Sequence, residues 1–224
     1  MRQSILVASV FILCAAVFAK NVHNPSKWED DIQAFEQSAR EKSITQVDVL
    51  FIGSSSIRNW KIDKWFPELK ALNHGFGGSH IEDSVYYFDR IVTPHQPRVI
   101  VLYAGDNDIN YGKSPQRVFH DFKQFVQQMK EKTPSAKLIY IAIKPSISRW
   151  KLIRKIRAAN HWVHQYCMSE PRLEFFNIDP PMIGPDGKPR PEIFVDDGLH
   201  LNETGYELWS SMLYPKIEQQ LGVR

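Results

Sequence analysis

A serine hydroxyl, an imidazole and a carboxylate are the groups from which an acyl-transfer site is built, and this chain places all three where they can meet. The segment Val49-Leu-Phe-Ile-Gly-Ser-Ser-Ser-Ile-Arg58 passes from buried-strand residues through one glycine into three consecutive serines. Asp196-Asp-Gly-Leu-His200, near the C-terminus, offers a carboxylate and an imidazole three residues apart. A serine hydroxyl becomes a nucleophile when a neighbouring base takes its proton, and histidine suits that task near neutral pH. His200 is the candidate base, and Asp197 can reach its other ring nitrogen within one turn, fixing the tautomer and stabilising the imidazolium.

The intermediate of such a reaction carries an oxyanion, which needs donors placed in advance. Gly78, the last of the cluster Gly75-Phe-Gly-Gly78, offers a backbone N–H, and Asn107 offers a side-chain amide. The amide of Ser55, at the start of a helix, is a third donor. Taken singly, each piece has a structural reading: serines and Asn107 cap helices or turns, the glycines make a tight turn, and His200 packs as a satisfied histidine. The joint arrangement points to one site.

The elements that position these groups follow from apolar spacing. Trp28, Ile32, Phe35 and Ala39 recur at helical intervals behind Asn24-Pro25-Ser26 and Glu29, a helix start with a capping box. Val47 to Ile52, the weaker Ala71 to His74, Arg98 to Tyr103, Lys137 to Ile143 and Leu173 to Ile178 read as strands. Ser79 and Glu82 form a second capping box before a helix with Ile81, Val85 and Phe88. Further helices carry Val118, Phe122, Phe125 and Met129, span about Trp150 to Tyr166, and begin after Asn202 with Tyr206, Trp209 and Leu213, interrupted or kinked at Pro215.

Five strands alternating with helices predict a three-layer α/β/α, doubly wound, flavodoxin-like parallel sheet. In such sheets ligands bind beyond the carboxyl ends of the strands, at a switch in strand order. The serines, the glycine cluster and Gly105-Asp-Asn-Asp108 all follow strands, so they are expected to converge there.

Four segments resemble the blocks of the SGNH hydrolases, also called GDSL esterases and lipases, over roughly Val47 to Trp209. Gly53-Ser54-Ser55 stands for the Gly-Asp-Ser block, so the resemblance implies Ser55 as nucleophile. Asn73 to Gly78 resembles the second block, whose last glycine is an oxyanion donor. Gly105-Asp106-Asn107-Asp108 matches the Gly-x-Asn-Asp block, and Asp197-Gly-Leu-His200 the Asp-x-x-His block with acid and base. Ser54 departs from the family's aspartate, which bears on the rigidity of the loop and leaves Ser54 and Ser56 as alternative nucleophiles. The elbow Gly-x-Ser-x-Gly of the α/β-hydrolases is absent, because position 57 is isoleucine.

The resemblance implies hydrolysis of carboxylic esters, acyl or acetyl, on a small molecule, carbohydrate or lipid, with no cofactor. Two rival readings use the same sequence. Asp106, Asp108, Asp196 and Asp197 could meet at the carboxyl edge and bind Mg²⁺ in a phosphohydrolase. The fold could also serve a non-catalytic carbohydrate- or envelope-binding relative. His161 and His164 lie three apart on a predicted helix without a further metal-ligand pattern. Trp60, Trp65 and Phe66 follow the serines and are expected mainly in the core.

Composition sets the outer bounds. The chain has 224 residues, 43% hydrophobic and 24% charged, which suits one globular domain. A formal charge of +3 gives no reason to expect a nucleic-acid partner. The basic run Lys144, Arg149, Lys151, Arg154, Lys155 and Arg157 reads as the wet face of a helix. Arg2 precedes an apolar stretch from Ile5 to Ala19 that is shorter than the roughly 20 residues a bilayer span needs and ends in small residues. A signal peptide over residues 1–19, export to a periplasmic or secreted location, and a single catalytic domain over 20–224 are therefore expected. Cleavage there leaves Cys167 as the one cysteine, without an intramolecular disulfide and without a permanent membrane span.

Overall fold

The computed structural model describes residues 23–223, so the leader-like stretch lies outside the described residues. Five parallel strands, β1 (Val49–Gly53), β2 (Ala71–Gly75), β3 (Val99–Tyr103), β4 (Lys137–Ile141) and β5 (Leu173–Phe176), form one sheet in the order β2-β1-β3-β4-β5. This is the expected doubly wound order, and its switch point lies between β1 and β3. Gly53 stands opposite both Gly75 and Tyr103 in the register. Three strands therefore end level, and the loops that leave them share one edge.

Burial follows from the pleat. Every residue of β1 and β3 is buried, as a strand covered on both faces requires. Leu50, Ile52, Ile100 and Leu102 point to one core with α1 (Glu29–Glu41), α4 (Ile81–Tyr86), α7 (Pro115–Lys132) and α8 (Ile153–Met168). Phe51, Val101 and Tyr103 point the opposite way, towards Trp60, Phe66 and the stripe Trp209, Leu213, Ile217 and Leu221 of α9 (Glu203–Leu221). The short helices α2 (Ser55–Arg58), α3 (Ile62–Trp65), α5 (Phe88–Ile91) and α6 (Asp106–Tyr111) complete the helical set among the described residues. None of these helices is long and apolar enough to cross a membrane.

Several local expectations shift. Asn24 caps a 3₁₀ turn over Pro25–Trp28 by accepting from the Ser26 N–H, while Glu29 is drawn to Arg90. The second box moves by one residue: the Asp83 carboxylate accepts from the His80 N–H at 2.7 Å, and Glu82 pairs instead with Lys113 and Arg117. The helix expected from Trp150 opens as a 3₁₀ turn over Trp150–Leu152 before α8 begins. Pro215 is accommodated inside α9. Cys167 is free and buried, and burial pushes its thiol up to about 12, which keeps it protonated and inert.

Gly53 shows why a glycine ends β1. Its φ is 137°, and a Cβ there would lie 1.9 Å from the Tyr103 carbonyl oxygen of the neighbouring strand. That oxygen also accepts from the Ser54 N–H at 3.0 Å, so it has no room to retreat. Gly53→Ala is expected to destabilise the fold by about 3 kcal/mol or more, from strain at positive φ combined with overlap in a buried strand. Urea unfolding checks this: an unchanged midpoint would show that the β1–β3 edge is slack.

Candidate active site

The three serines after β1 face three different environments. Ser56 is buried, its Oγ accepts from Lys144 Nζ at 3.0 Å, and its carbonyl accepts from the Tyr206 hydroxyl at 2.9 Å. Ser54 is wholly enclosed, and its hydroxyl has no hydrogen-bond partner among the described residues. Ser55 alone is half-buried, opening α2, with its Oγ 2.9 Å from His200 Nε2.

His200 is delivered by a compact turn ahead of α9. Val195 N–H donates to the His200 carbonyl at 2.9 Å, Phe194 bridges Leu201, and Gly198 turns the chain with a φ of 61°. Asn202 fastens the turn to α9: its side chain accepts from the Gly205 N–H and donates to the carbonyls of Glu192 and Phe194. The Pro-rich segment after β5 thus leads directly into the turn that carries the imidazole. Asp197 Oδ2 lies 2.5 Å from His200 Nδ1, and its Oδ1 accepts from the N–H groups of Leu199 and His200 at 2.8 Å each. Burial works to raise the Asp197 pKa, but these hydrogen bonds outweigh it and hold the carboxyl at about 2. The carboxylate is therefore charged across the neutral range while it grips the ring nitrogen remote from Ser55.

Gly78 and Asn107 come from the loops after β2 and β3. Gly78 has a φ of 77°, and no atom lies within 4 Å of where its Cβ would stand, so its backbone faces open space. Asn107 Nδ2 donates to the Ser79 carbonyl at 3.0 Å, which ties the two loops together. Its Oδ1 accepts from Arg149 Nη2 at 2.9 Å. Since a carboxamide carries two donor hydrogens, one remains for a further acceptor.

Sequence reasoning missed what lies beneath. Arg149 and Lys144 are 8% and 1% exposed, so these two residues of the basic run leave the wet helix face on which they were expected. Arg149 Nη1 lies 2.8 Å from Asp106 Oδ2, and Lys144 Nζ lies 3.5 Å from the same oxygen and 3.0 Å from Tyr103 Oη. Burial acts to raise the Asp106 pKa, and the two cations more than offset it, leaving it lowered. Burial likewise lowers the Lys144 pKa, against the attraction of Asp106. A signal was available: Lys144 follows the run Ile139-Tyr-Ile-Ala-Ile143, so it sits at a strand's carboxyl end where functional groups collect.

The four carboxylates of a metal-dependent site are not brought together. Asp106 is held by Arg149 and Lys144, Asp108 by Lys113 at 2.8 Å, Asp197 by His200, and Asp196 is exposed. Burial pushes Asp108 up to about 6 against the pull of Lys113, the mark of a structural ion pair in the core. Among the described residues one group of potential metal ligands does gather, His23, His80 and Glu82. Its imidazoles stack 4.4 Å apart at 15°, whereas a metal binds in the ring plane, and Glu82 Oε1 lies 2.9 Å from Lys113 Nζ. His161 and His164 are exposed on α8 and join no such group. Trp60 and Phe66 are core residues, with Trp60 Nε1 donating to Ser210 Oγ at 3.0 Å, while Trp65 is half-buried.

A doubly wound sheet with a hydroxyl, an imidazole and a carboxylate in hydrogen-bonded line at its carboxyl edge is the framework of a hydrolase. The model of the GDSL-like Lipase/Acylhydrolase family matches residues 43–208, and the chain belongs to that family. It is an ester hydrolase. Human platelet-activating factor acetylhydrolase IB subunit alpha1 is similar at 26% identity over 193 residues, covering 84% of this chain and 81% of that protein. Solved structures share the fold. A GDSL-like lipase from Bacteroides thetaiotaomicron superposes with a TM-score of 0.70 at 20% identity, covering 88% of this chain and 98% of its own. An acetyl-xylooligosaccharide esterase from Geobacillus Stearmophilus gives 0.63 at 16% identity, over 78% and 95% of the two chains.

Proposed function

We propose that the chain is a serine esterase acting on short acyl esters, acetyl above all, with Ser55 as nucleophile, His200 as general base and Asp197 as the orienting acid. The observation that carries this is the unbroken line Ser55 Oγ, His200 Nε2, His200 Nδ1, Asp197 Oδ2, with contacts of 2.9 Å and 2.5 Å at its two ends. His200 takes the Ser55 proton as Oγ attacks the ester carbonyl. The carbonyl oxygen becomes an oxyanion, received by the N–H of Gly78, the free hydrogen of Asn107 Nδ2 and the Ser55 amide. Collapse expels the alkoxide, which takes the proton from His200 and leaves as the alcohol, and an acyl-enzyme remains on Ser55. Water, deprotonated by His200, attacks that ester, and as the intermediate collapses His200 returns the proton to Ser55 Oγ, which leaves as the hydroxyl while the acid is released. The acetyl preference is supported by the named activity of the acetylhydrolase and acetyl-esterase relatives.

A fluorophosphonate probe and a series of p-nitrophenyl esters test the proposal together. The probe is expected to attach at Ser55, located by mass spectrometry, and turnover is expected to fall from acetate to longer acyl chains. Attachment at Ser54 or Ser56, or a protein inert to the probe, would overturn the assignment, and a rising preference for long chains would overturn the acetyl part of it.

A further inference from the structure

We propose that Arg149 is a positioning residue of this site, setting the Asn107 carboxamide so that its N–H, and not its carbonyl, faces the oxyanion. This inference rests on the esterase reading above. The two ends of an asparagine amide are nearly alike in shape and opposite in hydrogen-bonding sense. An amide turned the wrong way would present a lone pair to the developing negative charge. Here both ends are committed: Oδ1 accepts from Arg149 Nη2 at 2.9 Å, and Nδ2 donates to the Ser79 carbonyl at 3.0 Å. Rotation by half a turn would set oxygen against the Ser79 oxygen and amide hydrogens against the guanidinium. The Ser79 carbonyl opposes that rotation at one end, and the guanidinium, a charged donor, opposes it more strongly at the other.

Arg149 is itself fixed. Its Nη1 lies 2.8 Å from Asp106 Oδ2, and Asp106 Oδ1 accepts from the Asn107 N–H at 3.0 Å. Asp106, Asn107 and Arg149 thus close a ring in which the guanidinium meets the carboxylate through Nη1 as an ion pair, without a hydrogen bond, and hydrogen-bonds the carboxamide through Nη2. A lysine, with a single point of charge, cannot span both. Lys144 braces the ring from below, bonding Ser56 Oγ at 3.0 Å while facing Asp106 Oδ2 at 3.5 Å. The residue after the nucleophile and the residue before the oxyanion amide are therefore tied through one buried ammonium. The loop after β4 supplies both cations, although it contributes none of the groups assigned to bond making.

The test is a double-mutant cycle on p-nitrophenyl acetate with Arg149→Met, Asn107→Ala and the pair. Arg149→Met is expected to lower kcat by about 10- to 100-fold with KM changed far less, since what is lost is transition-state stabilisation through one donor. In the Asn107→Ala background the same substitution is expected to cost almost nothing, because the group on which it acts is gone. Losses that multiply in the double variant, or unimpaired kcat in Arg149→Met, would overturn the inference. If Arg149→Met does not fold, as judged by thermal melting, Arg149→Lys carries the same cycle, with a loss of kcat expected because charge without the fork does not lock the amide. Wild-type turnover is the control: its absence overturns the esterase reading and this inference with it, whereas turnover with an unimpaired variant overturns this inference alone.

Discussion

Alanine at position 55 is expected to reduce ester hydrolysis by about 10⁴-fold or more in kcat, with thermal stability close to that of the parent. The size of the loss follows from how the neighbouring hydroxyls are committed. Ser56 Oγ is buried and bonded to Lys144, and Ser54 is fully enclosed, so neither can turn to His200 and take over. Stability is spared because Ser55 is only half-buried and its helix is held by backbone bonds, the N–H groups of Ile57 and Arg58 donating to the Ser54 carbonyl at 2.9 and 3.1 Å. Initial rates on p-nitrophenyl acetate, with a melting curve alongside, check both halves. Retention of more than a tenth of the activity by a folded Ser55→Ala variant would place the nucleophile elsewhere.

Position 54, which departs from the Gly-Asp-Ser pattern that the first block resembles, shows how the loop can dispense with a carboxylate. Ser54 sits at zero exposure, and among the described residues its hydroxyl has no hydrogen-bond partner, so no side-chain hydrogen bond from it holds the turn there. The backbone and the neighbours do that work: Ser54 N–H to Tyr103 O at 3.0 Å, Phe76 N–H to Gly53 O at 2.9 Å, and the Tyr206 hydroxyl to Ser56 O at 2.9 Å. Each joins the loop to a different element, β3, the segment after β2, and α9. An ionised carboxylate in the place of Ser54 would need a partner of its own at that depth. The rigidity that the sequence left in question is thus supplied by cross-bracing.

What could be read from the sequence, and what could not, divides along physical lines. Strands β1 and β3 were legible because Val49 to Ile52 and Val99 to Tyr103 are unbroken apolar runs stopped by small residues. Their limits were less so, since a strand buried on both faces has no alternation to mark its ends, and β1 starts two residues later than expected. The turn holding Asp197 and His200 was legible because its hydrogen bonds are local. The capping residue of α4 was misplaced by one because Glu82 had distant partners, Lys113 and Arg117, that outcompete a cap. Arg149 and Lys144 were misread for the same reason: charge spacing describes a helix face, but these residues precede α8, in an irregular segment that passes under the site. Their burial depends on Asp106, which is adjacent only in space.

Replacing Asp197 by asparagine tests the remaining link, and a loss of about 10³- to 10⁴-fold in kcat is expected. The two backbone N–H groups that bind Oδ1, from Leu199 and His200, would keep the asparagine oxygen in that place. The amide nitrogen then falls where Oδ2 was, 2.5 Å from His200 Nδ1, and there it can only donate. To accept that bond His200 must carry its proton on Nε2, the nitrogen that faces Ser55, so the base is blocked by its own hydrogen. Asp197→Ala removes the orienting bond without imposing the wrong tautomer, and it is expected to be the less impaired of the two. The carboxyl pKa of about 2 fixes the sign of the pH effect in the parent. Because the folded value lies below the unfolded one, near 3.8, the carboxylate's contribution to stability is complete above about pH 4 and is lost as pH falls towards 2. Over the neutral range Asp197 does not titrate, so the loss expected in the Asp197→Asn variant is the loss of a charged partner to His200. An Asp197→Asn variant with parental kcat would show that the imidazole is oriented by the protein without its carboxylate, and an Asp197→Ala variant worse than Asp197→Asn would show that tautomer control is not what the carboxylate provides.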